Sequence, residues 1–99
     1  MLVKVRSCGL CSTDLWKAVY HIAGDGDILG HEVSGEVAEI GQGIEGFELG
    51  DRVAVYHHAE CGTCYYCKHD QGTLYSQSRQ PSIFPGAFSE CVLVRPHIA

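Results

Sequence analysis

Cys11 and His31 stand twenty residues apart, and Cys61, Cys64 and Cys67 form a CxxCxxC run. Thiolate and imidazole are donors that zinc prefers. Held on two separate segments, they suggest an open site able to do chemistry, whereas thiolates crowded into one short run suggest a closed, structural site. A chain carrying both patterns reads as part of a zinc enzyme.

The neighbours of these donors add to the pattern. Thr13 and Asp14 follow Cys11 in Cys11-Ser12-Thr13-Asp14, and Glu32 follows His31. A hydroxyl on Thr13 could hold a substrate oxygen and pass its proton outward. Asp14 could accept the second imidazole N–H of His31 and fix its tautomer. An alcohol held at such a zinc loses its proton near neutral pH, because the metal stabilises the alkoxide. Taken singly, Cys11 reads as a small buried residue and His31 as a satisfied strand-end histidine. Taken as a set, they read as a site.

These residues need elements to position them. Leu2 to Arg6 alternates, with Val3 and Val5 on one face and Lys4 and Arg6 on the other, which predicts a strand. Ser12 to Tyr20 has no Gly or Pro and opens on Ser, Thr and Asp, which predicts a short capped helix. His21 to Leu29 reads as a loop, and Glu32 to Ile40, Asp51 to His57 and Ala87 to Arg95 read as strands. Glu60 to Ser82 lacks periodicity and forms an irregular lobe, which cannot bury enough apolar surface alone and would want a metal. Short strands between Gly-rich turns predict a mainly β fold, a small and partly open β-barrel with one short helix.

Gly41-Gln42-Gly43-Ile44-Glu45-Gly46 fits GxGxxG and follows a strand. A dinucleotide fingerprint needs a helix to begin at those glycines, with its N-terminal amides facing the pyrophosphate. Phe47 to Asp51 leads straight into the next strand and leaves no room for that helix. The segment reads as a glycine-rich turn that binds no cofactor.

Composition excludes several classes. Across 99 residues, twelve acidic and seven basic residues give a net charge of -5. With no cluster of Lys and Arg, nucleic acid is not an expected partner. No apolar stretch approaches the roughly 20 residues of a membrane span, and the opening MLVKVRS is too short and polar for a secretory signal. Six cysteines and six histidines, three of the cysteines at CxxC spacing, favour metal in a reducing, cytoplasmic setting over a disulfide framework.

The motifs together resemble the zinc-containing medium-chain alcohol and polyol dehydrogenases, specifically their GroES-like catalytic domain. The resemblance is carried by Cys8-Gly9-Leu10-Cys11-Ser12-Thr13-Asp14, Ile28-Leu29-Gly30-His31-Glu32, Gly50-Asp51-Arg52-Val53, Cys61-Gly62-Thr63-Cys64-Tyr65-Tyr66-Cys67 and, more weakly, Gly86-Ala87-Phe88-Ser89-Glu90. It implies a single, incomplete GroES-like domain over 1–99 with a zinc lobe at about 58–82. It further implies Cys11 and His31 as ligands of a catalytic zinc, Thr13 as the substrate-contacting hydroxyl and Asp14 as the orienter of His31. Glu32 would be the carboxylate that approaches the metal during ligand exchange. Cys8 is no ligand in this family and reads as a small buried residue.

The resemblance also implies what lies elsewhere. The family's third catalytic ligand and its nicotinamide-binding Rossmann domain would follow residue 99, and the chain would begin inside an early strand. NAD(P) would bind only in a full-length parent, where the substrate is a small alcohol, sugar or polyol and a homo-oligomer is open. The chain alone is not expected to be active.

Two positions depart from the family. Trp16 stands where a proton-relaying histidine is common, so the relay must use another group, or Trp16 shapes the substrate pocket. Tyr75 falls where the lobe's fourth cysteine should be, and a neutral phenol is a poor zinc ligand. Cys61, Cys64 and Cys67 could recruit His69, Asp70 or water instead, or the lobe has lost its metal. His57, His58 and His97 read as surface or packing residues, and Tyr65 and Tyr66 as cover for the lobe or a subunit contact. The alternatives to a dehydrogenase domain are a non-catalytic zinc-binding or interaction module of GroES-like fold, and a thiol redox module.

Overall fold

The computed structural model describes residues 1–74 and 82–99. Its strands are β1 (Leu2–Gly9), β2 (Glu32–Glu39), β3 (Arg52–Val55), β4 (Ile83–Phe84) and β5 (Cys91–Val94), with helices α1 (Ser12–Val19) and α2 (Tyr65–Lys68). Two 3-10 turns, Gly72–Leu74 and Pro96–Ile98, complete the elements. The strands form one antiparallel sheet in the order β3-β2-β1-β5-β4, an open half-barrel of the kind the alternation predicts.

One face of the sheet builds the core. Val3 and Val92 are 0% exposed, and Val33, Val37, Val55 and Val94 lie buried around them. These are β-branched side chains at alternate positions, the residues that fit a pleated, half-buried surface. Gly35 sits where β1 crosses closest, since a Cβ there would collide with the Lys4 carbonyl. The absent side chain is what lets Val3 and Val33 share the core.

The elements differ from the sequence reading in instructive ways. β1 runs on to Gly9, past the predicted Arg6, because the register with β2 slips between Val5 and Ser7. The resulting bulge reverses the alternation, so Cys8 rather than Ser7 turns toward the core. β3 ends at Val55, short of His57, because the Tyr56 N–H leaves the ladder and donates to the Ile98 carbonyl at 2.7 Å. β5 starts at Cys91, not Ala87. The stretch before it turns to donate from Ala87 N to Gly30 O at 2.9 Å and from Phe88 N to Leu29 O at 3.0 Å. Between β2 and β3 no helix begins at the GxGxxG glycines. Gly43 and Gly46 have φ of 79° and 83°, and the turn returns the chain so that Gly50 N donates to Val37 O at 2.8 Å.

The lobe is less irregular than expected, since α2 begins directly after Cys64. Tyr75 and the end of the predicted lobe, 75–81, lie outside the described residues. Among the described residues no helix is long and apolar enough to cross a membrane.

Candidate metal centres

Cys11 caps α1 from the position just before it, its backbone extended at φ -84° and ψ 151°. The cap expected at Ser12, Thr13 and Asp14 falls at Cys11, with Asp14 reaching back: its Oδ2 accepts from Cys11 N at 3.1 Å. Its Oδ1 accepts from Gly30 N at 3.2 Å. The same oxygen lies 3.4 Å from His31 Nδ1, and Asp14 is only 2% exposed. One buried carboxyl group therefore ties the start of α1, the residue before His31 and the His31 ring into a single unit. Gly30 has φ of 97°, a left-handed conformation that glycine adopts without steric cost, and a Cβ on it would stand 2.8 Å from Phe88 N.

With Nδ1 turned to Asp14, the other ring edge of His31 faces the site. Thr13 Oγ1 lies 3.5 Å from His31 Nε2. One ligand atom each from Cys11, His31 and Glu32 lies within 4.8 Å of the others. A zinc ion with bonds of about 2.0–2.3 Å needs tetrahedral donor separations of roughly 3.3–3.8 Å, a spacing that donors within 4.8 Å of one another can reach around one ion. The donors, one thiol, one imidazole and one carboxyl, are a chemically suitable set.

A groove of about 720 Å³ opens beside this cluster, lined by Thr13, Lys17, His31, His57, His58 and Ser82 among others. Lys17 lies one helical turn from Thr13 and so shares its face. Trp16 is not among the lining residues, so it does not shape this groove; its ring packs against Tyr20 at 5.7 Å.

His57, read from sequence as a surface or packing residue, stands against the site with its ring 5.1 Å from that of His31. The pairing of Val33 with Val55, continued two residues outward, sets His31 opposite His57 and on the same face. That register was the missing signal. Burial, then the nearby His58 and His31, holds the His57 imidazole below its ordinary pKa. Cys8 stands apart from the cluster: its thiol lies 3.5 Å from Gly9 O, and burial pushes it up from the usual thiol range.

In the lobe, Cys61, Cys64 and Cys67 bring their sulfurs within 4.8 Å of one another, and Cys61 and Cys67 are 3.7 Å apart. The loop from Cys61 and the start of α2 turn backbone amides toward sulfur: Cys64 N donates to Cys61 Sγ at 3.3 Å and Cys67 N to Cys64 Sγ at 3.4 Å. The backbone N–H of Thr63, then the Thr63 hydroxyl, then the backbone N–H of Cys64, lower the Cys61 thiol to about 6. Burial raises Cys67. His69 and Asp70, two of the possible substitutes named with water, are not among the converging donors; His69 places its Nδ1 2.7 Å from Tyr65 O and stacks its ring on Tyr65.

The chain is similar to known proteins over nearly its whole length. L-threonine 3-dehydrogenase of Pyrococcus furiosus is 40% identical over 104 residues, covering 95% of this chain and 29% of that protein. The alcohol dehydrogenase TADH from Thermus sp. ATN1 superposes with a TM-score of 0.76 at 34% identity, over 96% of this chain and 30% of that one. A structure described as a zinc-binding dehydrogenase from Sinorhizobium meliloti 1021, bound to NADP, gives a TM-score of 0.78 at 30% identity, over 99% and 29%. The chain thus spans under a third of the length of these relatives. The family described as alcohol dehydrogenase GroES-like domain matches residues 1–99 throughout, and the chain belongs to it.

Proposed function

We propose that this domain is the zinc-holding, substrate-facing part of an NAD(P)-linked dehydrogenase that oxidises a small alcohol, sugar or polyol to a carbonyl. The observation that carries the reading is the convergence of Cys11, His31 and Glu32 within 4.8 Å, with Asp14 at the other nitrogen of His31. Cys11 and His31 would hold zinc, and Glu32 would serve as a further, exchangeable donor. When bound, the zinc supplies the Lewis acidity that lets an alcohol lose its proton near neutral pH.

The chain's own residues do the rest. Asp14 holds the His31 ring so that Nε2 faces the cluster. Thr13 offers its hydroxyl to the substrate hydroxyl as acceptor and donor in turn. His57 walls the groove beside His31 and, held below its ordinary pKa, stays available as a neutral hydrogen-bonding group. The groove mixes polar groups such as Lys17 and Ser82 with apolar ones such as Ile22, Ile28 and Ile83, a lining that suits a small alcohol with both a polar and an apolar part.

Cys61, Cys64 and Cys67 would hold a second zinc that braces the lobe. Three thiols at CxxC spacing that converge as a donor set support a reducing, cytoplasmic setting.

The test is turnover by the protein that carries this domain, with NAD or NADP, against secondary alcohols, sugars and polyols. Cys11→Ser and His31→Ala should each abolish turnover while the fold persists by circular dichroism. Turnover retained in both variants refutes the reading.

A further inference from the structure

The lobe carries three soft donors and lacks a fourth. Cys61 and Cys67 are 3.7 Å apart, close to the roughly 3.8 Å edge of a tetrahedron with 2.3 Å bonds to sulfur. A lobe closed by its own residues would complete that tetrahedron from within the segment. Among the described residues no further His, Cys, Asp or Glu joins the cluster. His69 turns its Nδ1 to the Tyr65 carbonyl and stacks on the Tyr65 ring, and no nitrogen of it joins the three sulfurs. The Glu60 carboxyl lies over Gly72, where a Cβ would collide with it. Residues 75–81 read Tyr-Ser-Gln-Ser-Arg-Gln-Pro, with no thiol, imidazole or carboxylate in any arrangement. Cys8 and Cys91 belong to β1 and β5, and Cys11 belongs to the other cluster.

We infer that the lobe is a three-thiolate site whose fourth position stays open to a donor from outside the chain, and that it selects a neutral nitrogen donor of the imidazole class. A metal held by three thiolates braces the lobe, and its open fourth position can still exchange a ligand. Three thiolates on a divalent ion leave one net negative charge. A fourth thiolate would double it, while an imidazole adds none, so charge favours the neutral donor. Access is open as well, since Cys61 is solvent-exposed.

The inference rests on the lobe holding metal at all, and one experiment separates the two claims. The Cys11→Ser chain is loaded with cobalt(II), so that thiolate-to-cobalt charge transfer reports the lobe alone, and imidazole is titrated in. The expected result is a saturable shift of the visible ligand-field bands that fits a single donor, with the thiolate charge transfer retained. Bands that do not move while charge transfer is present mean that the protein closes the site, which overturns the inference alone. Charge transfer lost on titration, with cobalt stripped away, overturns it too. No thiolate charge transfer at the outset overturns both claims. Should Cys11→Ser fail to fold, cadmium-113 NMR of the wild-type chain replaces it, because the two clusters differ in sulfur count and resonate apart. The sulfur-rich resonance must then move on adding imidazole, and a stationary one refutes the inference.

Discussion

Removing the Asp14 carboxylate should cost stability and metal affinity by two separable routes. Its oxygens accept from Cys11 N at 3.1 Å and Gly30 N at 3.2 Å while the side chain is 2% exposed. Asp14→Ala leaves both amides without a partner. An orphaned donor costs about 1–3 kcal/mol when buried, so for these two part-buried amides the sum is at most about 2–6 kcal/mol out of the roughly 5–15 kcal/mol that holds a typical domain. Asp14→Asn keeps one carbonyl oxygen, satisfies one amide and turns its own NH2 toward the other, so about half of that loss should remain. The second route runs through His31, whose Nδ1 lies 3.4 Å from Oδ1. Losing such an outer partner typically weakens a metal site about 10–100-fold. Urea unfolding of the metal-free chain isolates the first route, and zinc competition against a chromophoric chelator measures the second. An Asp14→Asn protein with the wild-type urea midpoint and wild-type zinc affinity would refute the reasoning.

Other expectations follow from the same geometry. Val3 is wholly buried, so Val3→Ala should lower stability by about 2–3 kcal/mol through lost transfer energy and the cavity left behind; the urea midpoint should fall with the slope unchanged. Gly30→Ala forces a side chain onto φ of 97° and against Phe88 N; a cost of about 1–3 kcal/mol in urea unfolding is expected, with weakened zinc binding because His31 is the next residue. In the metal-free chain, Cys61 with its thiol lowered to about 6 should be the first cysteine alkylated at neutral pH, with a rate that rises through a midpoint near that value. Thr63→Val should move the midpoint upward, since it removes a hydroxyl donor to the thiolate at 3.6 Å. Mass mapping of iodoacetamide adducts against pH reads both, and a Cys61 that reacts no faster than Cys67 counts against the lobe geometry.

The strand pattern was legible wherever alternation met burial, as at Val3 and Val5 or Val33 and Val37. It failed where the ladder broke its own period. The bulge after Val5 hid the second half of β1, and the two-residue β4 is too short to carry any pattern. Strand ends at Val55 and Cys91 were set by long-range amide bonds to Ile98 and to Leu29–Gly30, which no local window contains. The donors Cys11, His31, Cys61, Cys64 and Cys67 could be picked out because zinc chemistry restricts residue type and spacing. His57 could not, because its place beside His31 follows from strand register rather than from its own neighbours. The same holds for Asp14: its carboxylate was expected at His31, but its hold on the Gly30 amide depends on how the loop folds back.

The most direct test of the central claim is zinc occupancy by native mass spectrometry, in the wild-type chain and in Cys11→Ser. Zinc at both clusters in the wild type, and at the Cys61–Cys67 lobe alone in the variant, is the predicted result. A variant that retains every zinc ion of the wild type would show that Cys11 binds none, and would contradict the assignment of a substrate-facing metal centre to this domain.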